Sequence, residues 1–225
     1  MLKAVIFDMD GVLVDSEPLH YEVNRITMQE QFGVDLDYEY YKQYIGSTVT
    51  YMWSKIIRDF SIEGYSAAEL FNLSEVIKER LVSEKGYPEV EGAVSFVKSI
   101  APKYKLAVAS SSALPNIERN VKQLGIIDDF DVLVSGINVA NPKPAPDIFL
   151  KAAAELGVKP EECIVVEDSC NGTRAARAAG MACIGYINPG SGEQDLSAAD
   201  YLFEAFDNID DGFIEMVYSH HFAEP

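Results

Sequence analysis

From Gly92 onward, short unbroken apolar runs alternate with longer segments whose apolar positions recur at helical spacing. Unbroken runs read as strands buried on both faces. The strands so read are Lys105–Ala109, which opens on a lysine, Phe130–Val134, which Asp131 interrupts, Cys163–Val166 and Ala182–Tyr186. The segments Val94–Ile100, Leu114–Leu124, Asp147–Leu156 and Gly172–Ala179 predict helices. Gly125, Gly157 and Gly180 supply a stop at or just past the last three. Strand and helix alternating at this size imply a parallel sheet with both faces covered.

One more buried run, Ala4–Phe7, stands apart from that series. Between Asp15 and about Ser83 the pattern is helical and amphipathic, with candidate helices at Tyr21–Phe32, Tyr51–Phe60 and Leu70–Val82. The expected fold is therefore α/β: a Rossmann-like parallel-sheet core from residues 1–15 and 84–225, with an α-helical cap, residues 16–83, inserted after the first strand. An insertion at that point is placed to act as a lid over the strand's C-terminal edge. Asn188–Gly192 reads as a turn-rich loop and His220–Pro225 as a frayed tail.

Composition narrows the partners. The chain has 225 residues, 48% of them hydrophobic, enough for a sizeable core. Its net charge of −18 argues against nucleic acid or an anionic membrane as the main partner. A small anionic substrate stays open, provided a metal or local lysines reverse the field in the site. No stretch approaches the ~20 apolar residues of a membrane span. Asp8 and Asp10 interrupt the only early apolar run, so no signal peptide is expected and a cytoplasmic setting is. Cys163, Cys170 and Cys183 form no CxxC pair and are expected as reduced thiols. A monomer is the expected state.

The chemistry concentrates at strand ends. Asp8 and Asp10 follow the first strand, and side chains two apart on extended backbone face the same way. Both then meet one small space at the carboxyl edge of the sheet, where ligands of parallel α/β folds bind. Two close anions require a proton or a cation between them. The Ser110–Ser112 cluster follows the Lys105–Ala109 strand, and Glu167 and Asp168 follow Cys163–Val166. Lys143 lies in Asn141-Pro-Lys-Pro-Ala-Pro-Asp147, just ahead of a helix. In a parallel sheet all of these converge. Four carboxylates with one ammonium demand a cation, and hard oxygen ligands suit Mg²⁺.

Asp8-Met-Asp-Gly11, the serine after a strand, the lysine before a helix and Glu167-Asp168, in that order, resemble the haloacid dehalogenase-like hydrolase superfamily. The helical insertion with Asp15-Ser-Glu-Pro-Leu-His20 is similar to the subgroup of β-phosphoglucomutase and small sugar-phosphate phosphatases. The resemblance implies Asp8 as nucleophile, forming an aspartyl-phosphate. It implies Asp10 as the acid for the leaving oxygen and the base for water. Mg²⁺ would then be held by Asp8, Asp10 through its carbonyl, and Asp168, with Glu167 as a ligand or just behind. Ser110 and Lys143 would hold the transferring phosphoryl oxygens. Gly11 and Ser111 would contact phosphate, and His20 would orient Asp10 when the lid closes. The substrate would be a small phosphorylated metabolite.

The alternatives differ in specific residues. A dehalogenase acting on carbon needs no acid at Asp10. A β-phosphoglucomutase-type mutase must hold a second phosphate with fixed cations. Around Gly46, the places where such mutases carry a lysine and an arginine hold Ile45 and Val49 here. Ala113 and Leu114 also depart from the polar pair expected in mutases. Lys42, Lys55, Arg58, Lys78 or Arg80 would have to substitute. A receiver domain would lack the helical insertion. A non-catalytic phosphate-binding protein would be expected to have lost Asp10 or Lys143, and both are present. A Mg²⁺-dependent phosphatase of sugar or polyol phosphates is the expected activity.

Overall fold

The computed structural model describes residues 1–45 and 47–223. Gly46, the reference point for the cap cations, and Glu224 and Pro225 of the tail lie outside the described residues. The chain divides into two compact units. The first comprises Met1–Asp15, Glu89–Pro189 and Gln194–Pro225. The second comprises Ser16–Pro88 and Gly190–Glu193.

The first unit is built on six strands: β1 (Ala4–Phe7), β2 (Lys105–Ser110), β3 (Val132–Ser135), β4 (Cys163–Glu167), β5 (Ala182–Tyr186) and β6 (Tyr201–Phe203). They lie in the order β3-β2-β1-β4-β5-β6, and every pairing is parallel. β1 is central, with Phe7 opposite Val108 on one side and Val166 on the other. β1, β4 and β5 are buried throughout, which is why they read as unbroken apolar runs. The helices are Ala93–Ile100, Leu114–Gln123, Asp147–Leu156, Cys170–Ala178 and Asp211–Ala223. Ala152 and Phe149 of the third and Ala175 and Ala176 of the fourth pack into one core with Ile6, Ala107, Val165 and Cys183. A Rossmann-like α/β core is thus the observed architecture.

Two elements differ from expectation. β6 is a three-residue edge strand with Tyr201 and Leu202 each 45% exposed, too short and too open to register as an apolar run. The expected frayed tail is instead helical as far as Ala223. Ile214, Val217 and Tyr218 bury against the core, and His221 Nδ1 lies 2.8 Å from Asp200 Oδ1. Docking of that kind orders a terminus whose composition alone signals nothing.

The second unit is helical: α1 (Glu17–Phe32), α2 (Tyr38–Tyr41), α3 (Val49–Asp59) and α4 (Ala67–Lys85). Ser66 and Glu69 form a capping box that starts α4 well ahead of the apolar pattern. At its other end α4 runs on to Lys85, so the expected boundary at 83/84 falls inside it. Trp53, Met28, Leu36, Ile56 and Leu70 are fully buried among these helices. Among the described residues, no helix is long and apolar enough to cross a membrane.

Candidate active site

The backbone at the end of β1 sets the first acid. Asp8 N–H donates to the Val166 carbonyl at 2.9 Å, extending the β1–β4 ladder by one residue. The chain then folds back, the Met9 carbonyl accepting from the N–H groups of Leu13 and Val14 at 2.9 and 3.0 Å. Gly11 makes that reversal at φ 83°, a left-handed conformation that costs a glycine nothing. From the loop after β5, Asn188 Nδ2 donates to the Gly11 carbonyl at 2.8 Å.

Lys143 is the hub. Its side chain is 8% exposed. Its Nζ donates to Asp8 Oδ1 at 2.5 Å, Glu167 Oε1 at 2.7 Å and the Ala109 carbonyl at 3.2 Å. It also sits 4.9 Å from the centroid of the Phe149 ring. Burial opposes its charge, but Asp8 and Glu167 outweigh that and hold Lys143 above the ordinary lysine range. Burial pushes the Asp8 carboxyl well up; Lys143 pulls it down, while Glu167, Asp168 and Asp10 add to the rise.

Glu167 is completely buried. Oε1 takes the lysine, and Oε2 accepts from Asp168 N–H, Ser169 N–H and Ser169 Oγ at 2.9, 2.8 and 2.9 Å. Ser169 Oγ in turn accepts from Gly172 N–H at 3.0 Å, capping the helix that follows. Both Glu167 oxygens are thus engaged within the chain. The arrangement fits a residue standing behind the metal position, holding Lys143 and the Asp168 turn in place. Direct ligation would have to replace one of these bonds.

The serines divide differently from expectation. Ser110 is fully buried, and its hydroxyl donates to Asp10 Oδ2 at 3.3 Å rather than facing the cavity. Ser112 Oγ donates to the same oxygen at 3.0 Å, and Ser112 N–H donates to Ser110 Oγ at 3.1 Å. Ser110 therefore braces Asp10, because the last residue of β2 still lies within the sheet; Ser111, one residue beyond the strand end, is exposed at the cavity. That cavity, about 310 Å³, is lined by Asp8, Asp10, Ser111, Lys143, Asp168 and Gln194, among others. Gln194, which sequence reasoning missed, accepts from Cys170 N–H at 3.2 Å. A lone glutamine in a polar loop carries no signal of that role.

His20 belongs to the second unit. It lines a cavity of about 330 Å³ there with Glu17, Asn24 and Lys78. Burial, and then the Lys78 charge, lower its pKa to about 4.

Among the described residues, no three His, Cys, Asp or Glu side chains converge to hold a metal ion unaided. The donor chemistry nevertheless fits Mg²⁺. That ion binds through one or two carboxylates, waters and substrate phosphate rather than an all-protein cage. Asp8 and Asp168 supply two carboxylates on one cavity, and the burial and neighbouring carboxylates that raise Asp8 disfavour a charge that a hard cation would stabilise.

A family model described as haloacid dehalogenase-like hydrolase matches residues 2–180. The chain is 36% identical over 185 residues to the phosphorylated carbohydrates phosphatase of Thermotoga maritima, covering 80% of this chain and 82% of that protein. It is 32% identical over 205 residues to the β-phosphoglucomutase of Bacillus subtilis, covering 88% and 87%. The crystal structure of CbbY from Rhodobacter sphaeroides in complex with phosphate superposes with a TM-score of 0.69 at 30% identity, covering 92% and 95%. The chain belongs to the haloacid dehalogenase-like hydrolases. Within that family it is a phosphoric monoester hydrolase.

Proposed function

We propose that this protein is a Mg²⁺-dependent phosphatase of sugar or polyol monophosphates, acting through an aspartyl-phosphate on Asp8. The observation that carries the reading is Lys143, buried and hydrogen-bonded to Asp8 and Glu167 at the carboxyl edge of the sheet. Asp8 attacks phosphorus, and the bond to the leaving alcohol breaks. Lys143 keeps Asp8 oriented and its ammonium beside the oxygens where charge gathers. Asp10, steadied by Ser110 and Ser112, gives its proton to the departing alcohol oxygen. In the second step Asp10 takes a proton from water, which attacks the aspartyl-phosphate and restores Asp8. Ser111 and Gln194 border the space the phosphoryl group occupies. Asp8, Asp10 and Asp168 would hold Mg²⁺, which would supply Lewis-acid neutralisation of the phosphoryl charge.

The likeness to a phosphatase of phosphorylated carbohydrates and to a phosphate-bound CbbY supports the substrate class. The likeness to a β-phosphoglucomutase supports a mutase as the second reading. Ile45 and Val49 weigh against it, since they offer no cation to a second phosphate. The test is phosphate release from a panel of sugar and polyol monophosphates, with β-glucose 1-phosphate plus a trace of 1,6-bisphosphate assayed for glucose 6-phosphate. Free phosphate supports the phosphatase; glucose 6-phosphate without free phosphate supports the mutase.

A further inference from the structure

An ammonium has three N–H donors, and those of Lys143 have three acceptors: Asp8 Oδ1, Glu167 Oε1 and the Ala109 carbonyl. The side chain is nearly closed to solvent, so water does little to steady its charge. One of its two anionic partners is spent in the reaction. As an Asp8 oxygen bonds to phosphorus, the carboxylate becomes an acyl group and its pull on the ammonium weakens. Holding Lys143 in place throughout therefore calls for a partner that the chemistry does not alter.

Phe149 is such a partner. It lies in the first turn of the helix Asp147–Leu156, is fully buried, and donates its N–H to the Pro146 carbonyl at 3.1 Å. Lys143 Nζ sits over its ring, 4.9 Å from the centroid. An aromatic face attracts a cation through its quadrupole and needs no proton from it. The contact therefore adds to the three hydrogen bonds without competing for them. It is strongest where water is excluded from both groups, as here. The ring is also anchored in one core cluster with Ile6, Ala109 and Val165, from β1, β2 and β4. Asp8 follows β1, the Ala109 carbonyl belongs to β2, and β4 ends at Glu167. Phe149 is thus fixed to the same three strands as the groups that Lys143 serves.

We propose that Phe149 is a positioning residue for phosphoryl transfer: its ring face holds the Lys143 ammonium at Asp8 and Glu167, where the transferring phosphoryl oxygens gather. The role rests on the reading of Asp8 as nucleophile and Lys143 as its partner. It acts through Lys143 and not on the substrate. A side chain that merely filled the core would serve as well with any apolar group of the same shape. A positioning ring must keep its negative face.

The test replaces Phe149, in the full chain, by phenylalanines carrying one, two and three ring fluorines. Fluorine drains the ring's negative face while its shape and apolar character barely change. Hydrolysis of p-nitrophenyl phosphate and of the sugar and polyol monophosphates is measured for each. The expected result is a kcat that falls with every added fluorine, by at least about tenfold in all, while KM changes less than about twofold. Phe149→Leu removes the face outright and is expected to lose at least as much; the fluorinated series decides if that variant does not fold. The same series at Phe206, a buried phenylalanine whose ring meets Phe96, Tyr186 and Phe203 instead, is expected to leave kcat unchanged. A kcat indifferent to fluorine at Phe149, or an equal fall at Phe206, overturns the inference alone, provided that Asp8→Asn abolishes hydrolysis. Hydrolysis that is absent from the wild type, or that survives in Asp8→Asn, overturns the phosphatase reading and this role of Phe149 with it.

Discussion

The Glu167 carboxylate occupies the space that any side chain on Gly172 would need: a Cβ there would lie 1.6 Å from Glu167 Oε1. Glu167 can fold back beside Lys143 and over the start of the next helix only because that position is bare. Gly172→Ala is therefore expected to evict the carboxylate and leave Lys143 without its second anion. Overpacking costs about 1–3 kcal/mol, so the variant should still fold with a lowered Tm. Its kcat should fall at least about a hundredfold, because displacement by an ångström is enough to lose that much. Thermal melting and steady-state kinetics on one preparation check both parts.

The three serines should separate kinetically. Ser112→Ala and Ser110→Ala each remove a hydrogen bond to Asp10 and are expected to lower kcat about tenfold with little change in KM. Ser111→Ala removes a group at the cavity and is expected to raise KM instead. Equal KM effects from all three would contradict the division of roles.

Asn188 ties the loop after β5 to the Gly11 carbonyl, and both residues are buried. Asn188→Ala strands that acceptor and is expected to destabilise the protein by about 1–3 kcal/mol. Denaturant unfolding of wild type and variant measures it.

His20 gives a pH prediction whose sign is fixed. Its pKa falls from an ordinary 6.5 to about 4 in the folded protein. The unfolded chain then binds the proton more readily between those values. The stabilisation from neutral His20 is fully present above pH 6.5 and is lost as pH falls towards 4. His20→Gln should flatten stability against pH across that window. Unchanged slopes in wild type and variant would contradict it.

The sheet was legible because buried strands leave short apolar runs, and five of the six announce themselves that way. β6 and α2 did not, being a single short edge strand and a single turn whose order depends on tertiary neighbours. The return of Gly190–Glu193 to the helical unit was invisible for a similar reason. The contact between Gly192 and Ile45 joins residues that no local pattern relates. In the site, Asp8, Asp10, Lys143, Glu167 and Asp168 were legible because each follows a strand or precedes a helix. What the spacing could not tell was orientation. Ser110 and Ser111 differ by one position, and strand pleat sends one into the protein and the other to the cavity. Glu167 and Asp168 likewise part company, since only the geometry around Gly172 draws Glu167 inward.

The central claim is that Asp8 carries the phosphoryl group with Mg²⁺ beside it. The most direct measurement is phosphate release from sugar and polyol monophosphates by wild type and Asp8→Asn, each with Mg²⁺ and with EDTA. Release by wild type with Mg²⁺, and loss of it both with EDTA and in Asp8→Asn, is the expected result. Undiminished release by Asp8→Asn, or by wild type in EDTA, would contradict the claim.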